Sequence, residues 1–362
     1  MSSLRERISD RYNITKSQLN DLVDKTKEIS QRAKIWENTD PPEKQRQIDE
    51  FLFTPDELPY LGKEYWFLLL TGTGNNHTDQ LMISFGRNKN NTMTIDGQNQ
   101  MTDTDEYMGG IGEIWYHNRG KTKKLGKLGG KIISTDLGVE FSTMEYHVKF
   151  SGKFPNYRVE VGVDNQTVVS VATTAPKIGD SMEFFSIDRF NMGVVVGNVY
   201  LDFEGQIAEQ DFKGRAYMQK VVMSAPFIPW YWGRFVFQNG SVLVFFLLWV
   251  DFPGMDRVIY TQGKFYDVEQ QKYHVFKNFN IDHYENTPYF ILHHQSEKYN
   301  IFVMMDCYTN NIFRMESRGE FVYNEMFAEI REIRIEIGDD LYDNNYFGKG
   351  SGSLEEATGM CF

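Results

Sequence analysis

Between residues 64 and 337 the chain is a succession of short runs rich in aromatic and β-branched residues, each closed by turn-forming residues. Runs at 64–71, 80–85, 92–95 and 111–117 are bounded by Gly, Asn or Asp, and further runs lie at 139–150, 157–163, 167–173, 184–187 and 194–204. Asp96-Gly97, Ser151-Gly152 and Asp164-Asn165 are turn pairs, because these residues tolerate the backbone angles of a tight reversal. Many short strands at this spacing, with no helices between them, predict an all-β sandwich or barrel of antiparallel strands.

The stretch 205–211 is polar, and beyond it the pattern restarts, with runs from 214–223 to 330–337. In the last run Ile333, Ile335 and Ile337 alternate with Arg334 and Glu336, the period-two signature of a strand with one wet face. A chain of 362 residues suits two domains of roughly 150 residues each. The expected division is a helical extension (1–44), a first β-domain (45–208), a second β-domain (209–340) and a tail (341–362). The tail is rich in glycine and asparagine and is expected to pack loosely. Before residue 40, Leu19, Leu22, Val23, Ile29 and Trp36 fall near helical spacing. Thr15 is a candidate cap and Pro41-Pro42 a stop, for a helix laid across a barrel mouth or a domain surface.

Aromatic residues make up 15% of the chain, which suits pleated sheet surfaces and the walls of apolar pockets alike. The formal net charge of −12 disfavours nucleic acid and anionic membrane surfaces. The longest apolar run, 242–250, is about half of what a spanning helix needs. Two cysteines, Cys307 and Cys361, do not make a disulfide framework, and the charged start Met1 to Glu6 lacks a signal-peptide core. A cytoplasmic protein without stable membrane insertion is the expectation.

The densest feature is Pro229-Trp230-Tyr231-Trp232-Gly233-Arg234. On a strand, Trp230, Trp232 and Arg234 share one face, while Tyr231 and Phe235 point to the other. Indole N–H and guanidinium groups need partners when buried. The indoles therefore either wall a pocket whose arginine holds a polar ligand end or an acid, or form stacked bridges between domains around an Arg–carboxylate pair. Candidate acids are Asp202 and Glu204, on the polar face of the strand after Asn198. They are joined by Asp251, at the end of the long apolar run, and Asp306, among Val303, Met304, Met305 and Cys307. A carboxyl in apolar company is paired or functional, since burial raises its pKa. The polar face that carries Asp202 and Glu204 is alternatively a wet one.

Metal and phosphate chemistry have no motif here. His293-His294 diverge on a strand, and no His-Glu-x-x-His pattern occurs. Gly72-Thr73-Gly74 lacks the lysine and helix of a phosphate loop, Gly109-Gly110-Ile111-Gly112 precedes a strand, and no Gly-x-Ser-x-Gly elbow is present. No metal or cofactor is expected.

Gly214-Arg215-Ala216-Tyr217, followed by Trp230-Tyr231-Trp232-Gly233, resembles the opening of the second domain in the lipocalin-like superfamily of carotenoid 1,2-hydratases, AttH-like proteins and related fungal pericyclases. The closing segment Gly350-Ser351-Gly352-Ser353-Leu354-Glu355-Glu356-Ala357-Thr358-Gly359 is similar to that of some members. The resemblance implies two consecutive lipocalin-like, or calycin-like, barrels with an apolar pocket. It also implies cofactor-free protonation of an isoprenoid double bond by a carboxylic acid, with aromatic shelter for the cation. Asp251, Glu204 and Asp202 are then catalytic candidates. Trp230, Trp232, Arg234, Tyr217, Tyr231 and Asp306 are ligand-binding candidates. The chain departs from the hydratases in having no histidine between His147 and His274. Three readings stay open: an acid-catalysing enzyme of hydratase, isomerase or cyclase type, a carrier or sensor of a hydrophobic small molecule, and an interaction module whose aromatics are all core.

Overall fold

The computed structural model describes residues 15–37, 40–177, 182–189, 192–252, 255–284 and 286–361. Two helices come first, α1 (Lys16–Glu37) and α2 (Pro41–Phe53). Thr15 starts α1 with a reciprocal cap. Its hydroxyl accepts from the N–H of Gln18 at 3.3 Å, and its own N–H donates to Gln18 Oε1 at 2.9 Å. The prolines end one helix by beginning another. Asp40 caps α2, and Pro41 and Pro42 sit in its first turn, where a missing N–H removes no helical bond. This second helix was not anticipated. Its Ile48, Phe51, Leu52 and Phe53 are buried in the first core, at roughly 1.5–3 kcal/mol per large side chain removed from water.

The first β-unit runs β1 (Lys63–Gly72), β2 (Gln80–Asn88), the small hairpin β3 (Thr94–Ile95) and β4 (Gln98–Asn99), β5 (Met108–Asn118), β6 (Lys121–Thr135), β7 (Gly138–Ser142), β8 (Tyr146–Lys153), β9 (Asn156–Val163), β10 (Gln166–Thr174), β11 (Met182–Arg189), β12 (Met192–Ile207) and β13 (Gln210–Met223). Among the described residues, ten strands close an antiparallel barrel in the order β10-β9-β8-β7-β6-β5-β2-β1-β13-β12, with β12 pairing back to β10. β11 pairs with the first half of β12, and α1 packs on both.

Period two sorts the wall. Trp66, Leu68 and Leu70 point inward with Leu81, Ile83 and Ile114, whereas Phe67, Leu69, Met82 and Trp115 point outward to the second unit. Inside, the loop after α2 and the wall are tied by ions. The fully buried Lys220 ammonium lies 2.7 Å from Glu64 Oε1 and 3.3 Å from Asp56 Oδ2, and Arg87 reaches Glu64 at 2.9 Å.

The second unit follows as β14 (Trp230–Phe237), β15 (Val242–Phe252), β16 (Met255–Asp267), β17 (Lys272–Phe276), β18 (Asn280–His283), β19 (Tyr289–Gln295), β20 (Tyr299–Ser317), β21 (Gly319–Ile337), β22 (Asp340–Asp343), α3 (Asn344–Phe347) and β23 (Gly350–Cys361). Its order is β17-β16-β15-β14-β23-β21-β20-β19-β18. The sheet curls about one cluster that joins Phe235, Phe245, Phe265, Phe276, Phe290 and Ile333.

Two boundaries differ from expectation. The polar stretch around 208/209 is the hairpin between β12 and β13, where Ala208 and Glu209 take positive φ (47° and 64°), so the chain passes from the first sheet to the second after Met223. The expected tail is a central strand. β23 lies between β14 and β21, and its glycines permit this: a Cβ on Gly352 would stand 1.9 Å from the Arg234 carbonyl oxygen. No helix of the described residues is long and apolar enough to cross a membrane.

A buried carboxyl site between the two sheets

The outer face of the barrel wall packs on the face of the second sheet that carries Trp230, Trp232 and Arg234, and strand register sets what meets there. In the second sheet one cross-strand row reads Asn311, Glu325, Glu355, Trp232. The flanking rows are Phe313, Tyr323, Ala357, Trp230 and Thr309, Phe327, Ser353, Arg234. The barrel offers Glu113, Ser84, Phe67, Gln219, Asn198, and beside that row Trp115, Met82, Leu69, Tyr217, Tyr200.

Three carboxylic acids are thereby enclosed. Glu325 has no exposed surface, Glu113 is 2% exposed and Glu355 is 6% exposed. Asn311 Nδ2 donates to Glu113 Oε2 at 2.6 Å, and Trp115 Nε1 donates to Glu325 Oε2 at 2.8 Å. The other oxygen of each, Oε1, is buried without a donor. The two carboxyls adjoin, near enough for one retained proton to be shared between them. Burial pushes Glu113 up to about 7. It raises Glu325 further, reinforced by the neighbouring charges of Glu113 and Glu355. The two titrate as a pair. Glu355 is also lifted to about 7 by burial, against hydrogen bonds from Tyr323 and from the indole of Trp230, the latter at 3.1 Å.

Aromatic rings surround these acids. Trp115 stacks on Phe327 with centroids 3.8 Å apart. Trp232 stacks on Tyr217 at 5.5 Å and meets Phe67 edge-on at 5.9 Å. Trp230 packs on Phe321 and Tyr323 at 5.0 and 5.4 Å. An open groove of about 470 Å³ on the flank is lined by Asp96, Gly97, Phe313 and Val322, two residues along β20 from Asn311. Lys127 stands beside it. The ammonium binds Asp96 at 2.7 Å, lies 5.2 Å from the Phe313 ring centre and exerts its charge on Glu113. Among the described residues no group of three His, Cys, Asp or Glu side chains is placed to hold a metal ion.

The residues singled out from sequence divide accordingly. Trp230, Trp232, Arg234 and Tyr217 gather in the layer between the sheets. Tyr231 points away, stacked on Trp249 and bonded to Glu356 at 2.8 Å. Asp306 is held by Arg331. Asp202 pairs with Arg215 and accepts from the N–H of Lys177 at 3.1 Å, and Glu204 is exposed, so the polar face of β12 is the wet one there. The side chain of Asp251 lies outside the described residues. Sequence reasoning missed Glu113, Glu325 and Glu355. Each shares its parity with aromatic, aliphatic or small residues: Ile111 and Trp115, Tyr323 and Phe327, Ser353 and Ala357. An acid at the parity of a buried face was the available signal.

No family model matches the chain, and no curated protein does. Among solved structures the chain shares the lipocalin-like, two-unit all-β fold. One similar structure is that of a protein assigned as AttH from Nitrosomonas europaea, at TM-score 0.50 and 13% identity over 81% of this chain and 91% of that one. Kievitone hydratase from Nectria haematococca aligns at TM-score 0.48 and 10% identity, over 83% and 90% of the two chains. CghA, solved with Sch210972, aligns at TM-score 0.45 and 7% identity over 82% and 88%.

Proposed function

We propose that the Glu113–Glu325 pair is the proton donor of a cofactor-free reaction on an apolar, unsaturated small molecule. The carrying observation is the pair itself: two adjoining, enclosed carboxyls ringed by aromatic faces, in surroundings that favour a retained proton. The shared proton passes to one carbon of a double bond, whose π electrons form the new C–H bond and leave a cation on the other carbon. A ring face stabilises a desolvated cation by roughly 2 kcal/mol. Water then adds to the cation and returns a proton to the carboxylates, or a neighbouring C–H loses its proton to them; the first outcome is hydration and the second isomerisation. Asn311, Trp115 and Lys127 oppose the second negative charge that appears after donation. Positioned acid catalysis of this kind contributes on the order of 10²–10⁴-fold. The groove beside Phe313 is the entry in this reading.

The test uses the full chain in heavy water with geraniol and farnesol as neutral isoprenoid probes. The expected result is deuterium bound to carbon in hydrated or isomerised product, lost in Glu325→Gln at unchanged far-ultraviolet dichroism. Unlabelled recovery of both probes from the wild-type protein would remove the reading.

A further inference from the structure

Arg234 projects from β14 toward the barrel and is 4% exposed. Burial lowers its pKa to about 10, so it remains charged at neutral pH. A guanidinium so enclosed ordinarily meets a carboxylate, because an unmatched interior charge is costly. Among the described residues none reaches it, and its Nε is buried without an acceptor. Its contacts are ring faces, with Tyr200 and Tyr217 at 5.4 and 5.5 Å from the guanidinium carbon. Those rings stack on one another at 5.6 Å.

The nearby carboxylates are engaged elsewhere. Glu183 accepts from Lys264 at 2.6 Å and from the Tyr200 hydroxyl at 3.1 Å, and Asp202 is held by Arg215. Arg215 and Lys264 thus have carboxylate partners, and Arg234 has none among the described residues. Its β14 neighbour Trp232 and the facing Tyr217 extend a flat apolar wall from it.

We infer that Arg234 receives the carboxylate of a small-molecule ligand whose body is flat and apolar. The guanidinium fork matches a planar carboxylate through two parallel hydrogen bonds. A doubly charged phosphate meets the same fork but costs far more to bring out of water than a singly charged carboxylate. The assignment goes beyond the proton pair and stands on Arg234 alone. Joined to the reading above, it places the ligand's charged end roughly 12 Å from Glu325, two strands over and one residue pair along the same sheet face.

Benzoate and inorganic phosphate are the probes, titrated calorimetrically into the full chain at low salt. Benzoate is expected to bind and raise the unfolding temperature, and phosphate to do neither. Arg234→Met is expected to weaken benzoate roughly tenfold or more while unfolding no earlier than the wild type in the absence of ligand. Nitrogen NMR of the wild-type arginine Nε–H groups gives a second readout that needs no variant, with one buried signal shifting on benzoate. Absence of benzoate binding to the wild type, equal binding to Arg234→Met, or an unmoved Nε–H signal overturns the assignment. Deuterium labelling of neutral isoprenoids and benzoate binding are separate readouts, so either reading can fall while the other stands.

Discussion

Glu113 on the barrel wall and Glu325 in the second sheet bring their carboxyls together, and among the described residues neither Oε1 has a donor. They sit on sheets that pack face to face, so the two units are joined at a group whose charge depends on pH. Interior carboxyls that share one proton are stable only while the proton stays, since two ionised neighbours out of water repel strongly. Stability, reactivity and spectroscopy should therefore all report on the same proton.

Stability should fall as pH rises across neutrality. The folded-state pKa values of Glu113 and Glu355, about 7, lie above the ordinary 4.5. Groups raised in this way contribute stability that is fully present below the ordinary value and is lost as pH climbs through the folded one. Unfolding temperatures measured from about pH 5 to pH 8 should decline, and Glu355→Gln should flatten the slope. A steady rise over that range would contradict a retained proton.

Trp115→Phe keeps a ring against Phe327 but removes the donor to Glu325. The ionised form of Glu325 then loses a hydrogen bond. The infrared band of its protonated carboxyl should persist to higher pH than in the wild type. The cost should be about 1–3 kcal/mol by denaturant unfolding, the usual figure for an orphaned buried acceptor. A band that vanishes at lower pH would reverse the argument.

Lys220→Met replaces a fully buried ammonium with an apolar chain of similar length. Glu64 and Asp56 then lose the ammonium that both face, and Glu64 keeps Arg87. A loss of about 3–5 kcal/mol is expected from breaking such a cluster on one side. An unchanged urea midpoint would show that the barrel interior solvates these carboxylates some other way.

Gly352→Ala and Gly97→Ala form a contrasting pair. At Gly352 the new Cβ would meet the Arg234 carbonyl oxygen at 1.9 Å inside the central strand, and a penalty on the order of 3 kcal/mol is expected. At Gly97 nothing lies within 4 Å, and only the positive φ of 78° resists, for about 1–2 kcal/mol. Thermal unfolding should rank Gly352→Ala as the more damaging. The opposite order would place strain rather than contact in charge.

What the sequence revealed and what it hid follow from one period. Alternation put Trp230, Trp232 and Arg234 on one face, and the structure has them there, because a strand's two faces are an intrinsic property of its backbone. The same alternation placed Glu113, Glu325 and Glu355 on buried faces. Acids, however, are read as wet by default, and only the opposing sheet, distant in sequence, shows otherwise. Pro41-Pro42 carried two meanings, stop and start, and the helix that plugs the barrel hung on the second. Gly350 and Gly352 looked like a loose tail because glycine marks loops. Here it marks the close approach of Phe237 and of the Arg234 backbone.

The place of β23 has a bearing on biosynthesis. Every other strand of the second sheet precedes it in the chain, yet it lies between β14 and β21. Until it emerges from the ribosome, those two strands border a gap one strand wide, with unpaired backbone on both sides. The barrel needs none of it and can close first. The nascent second sheet must instead wait with its seam open, and a chaperone that shields strand edges would act in that interval.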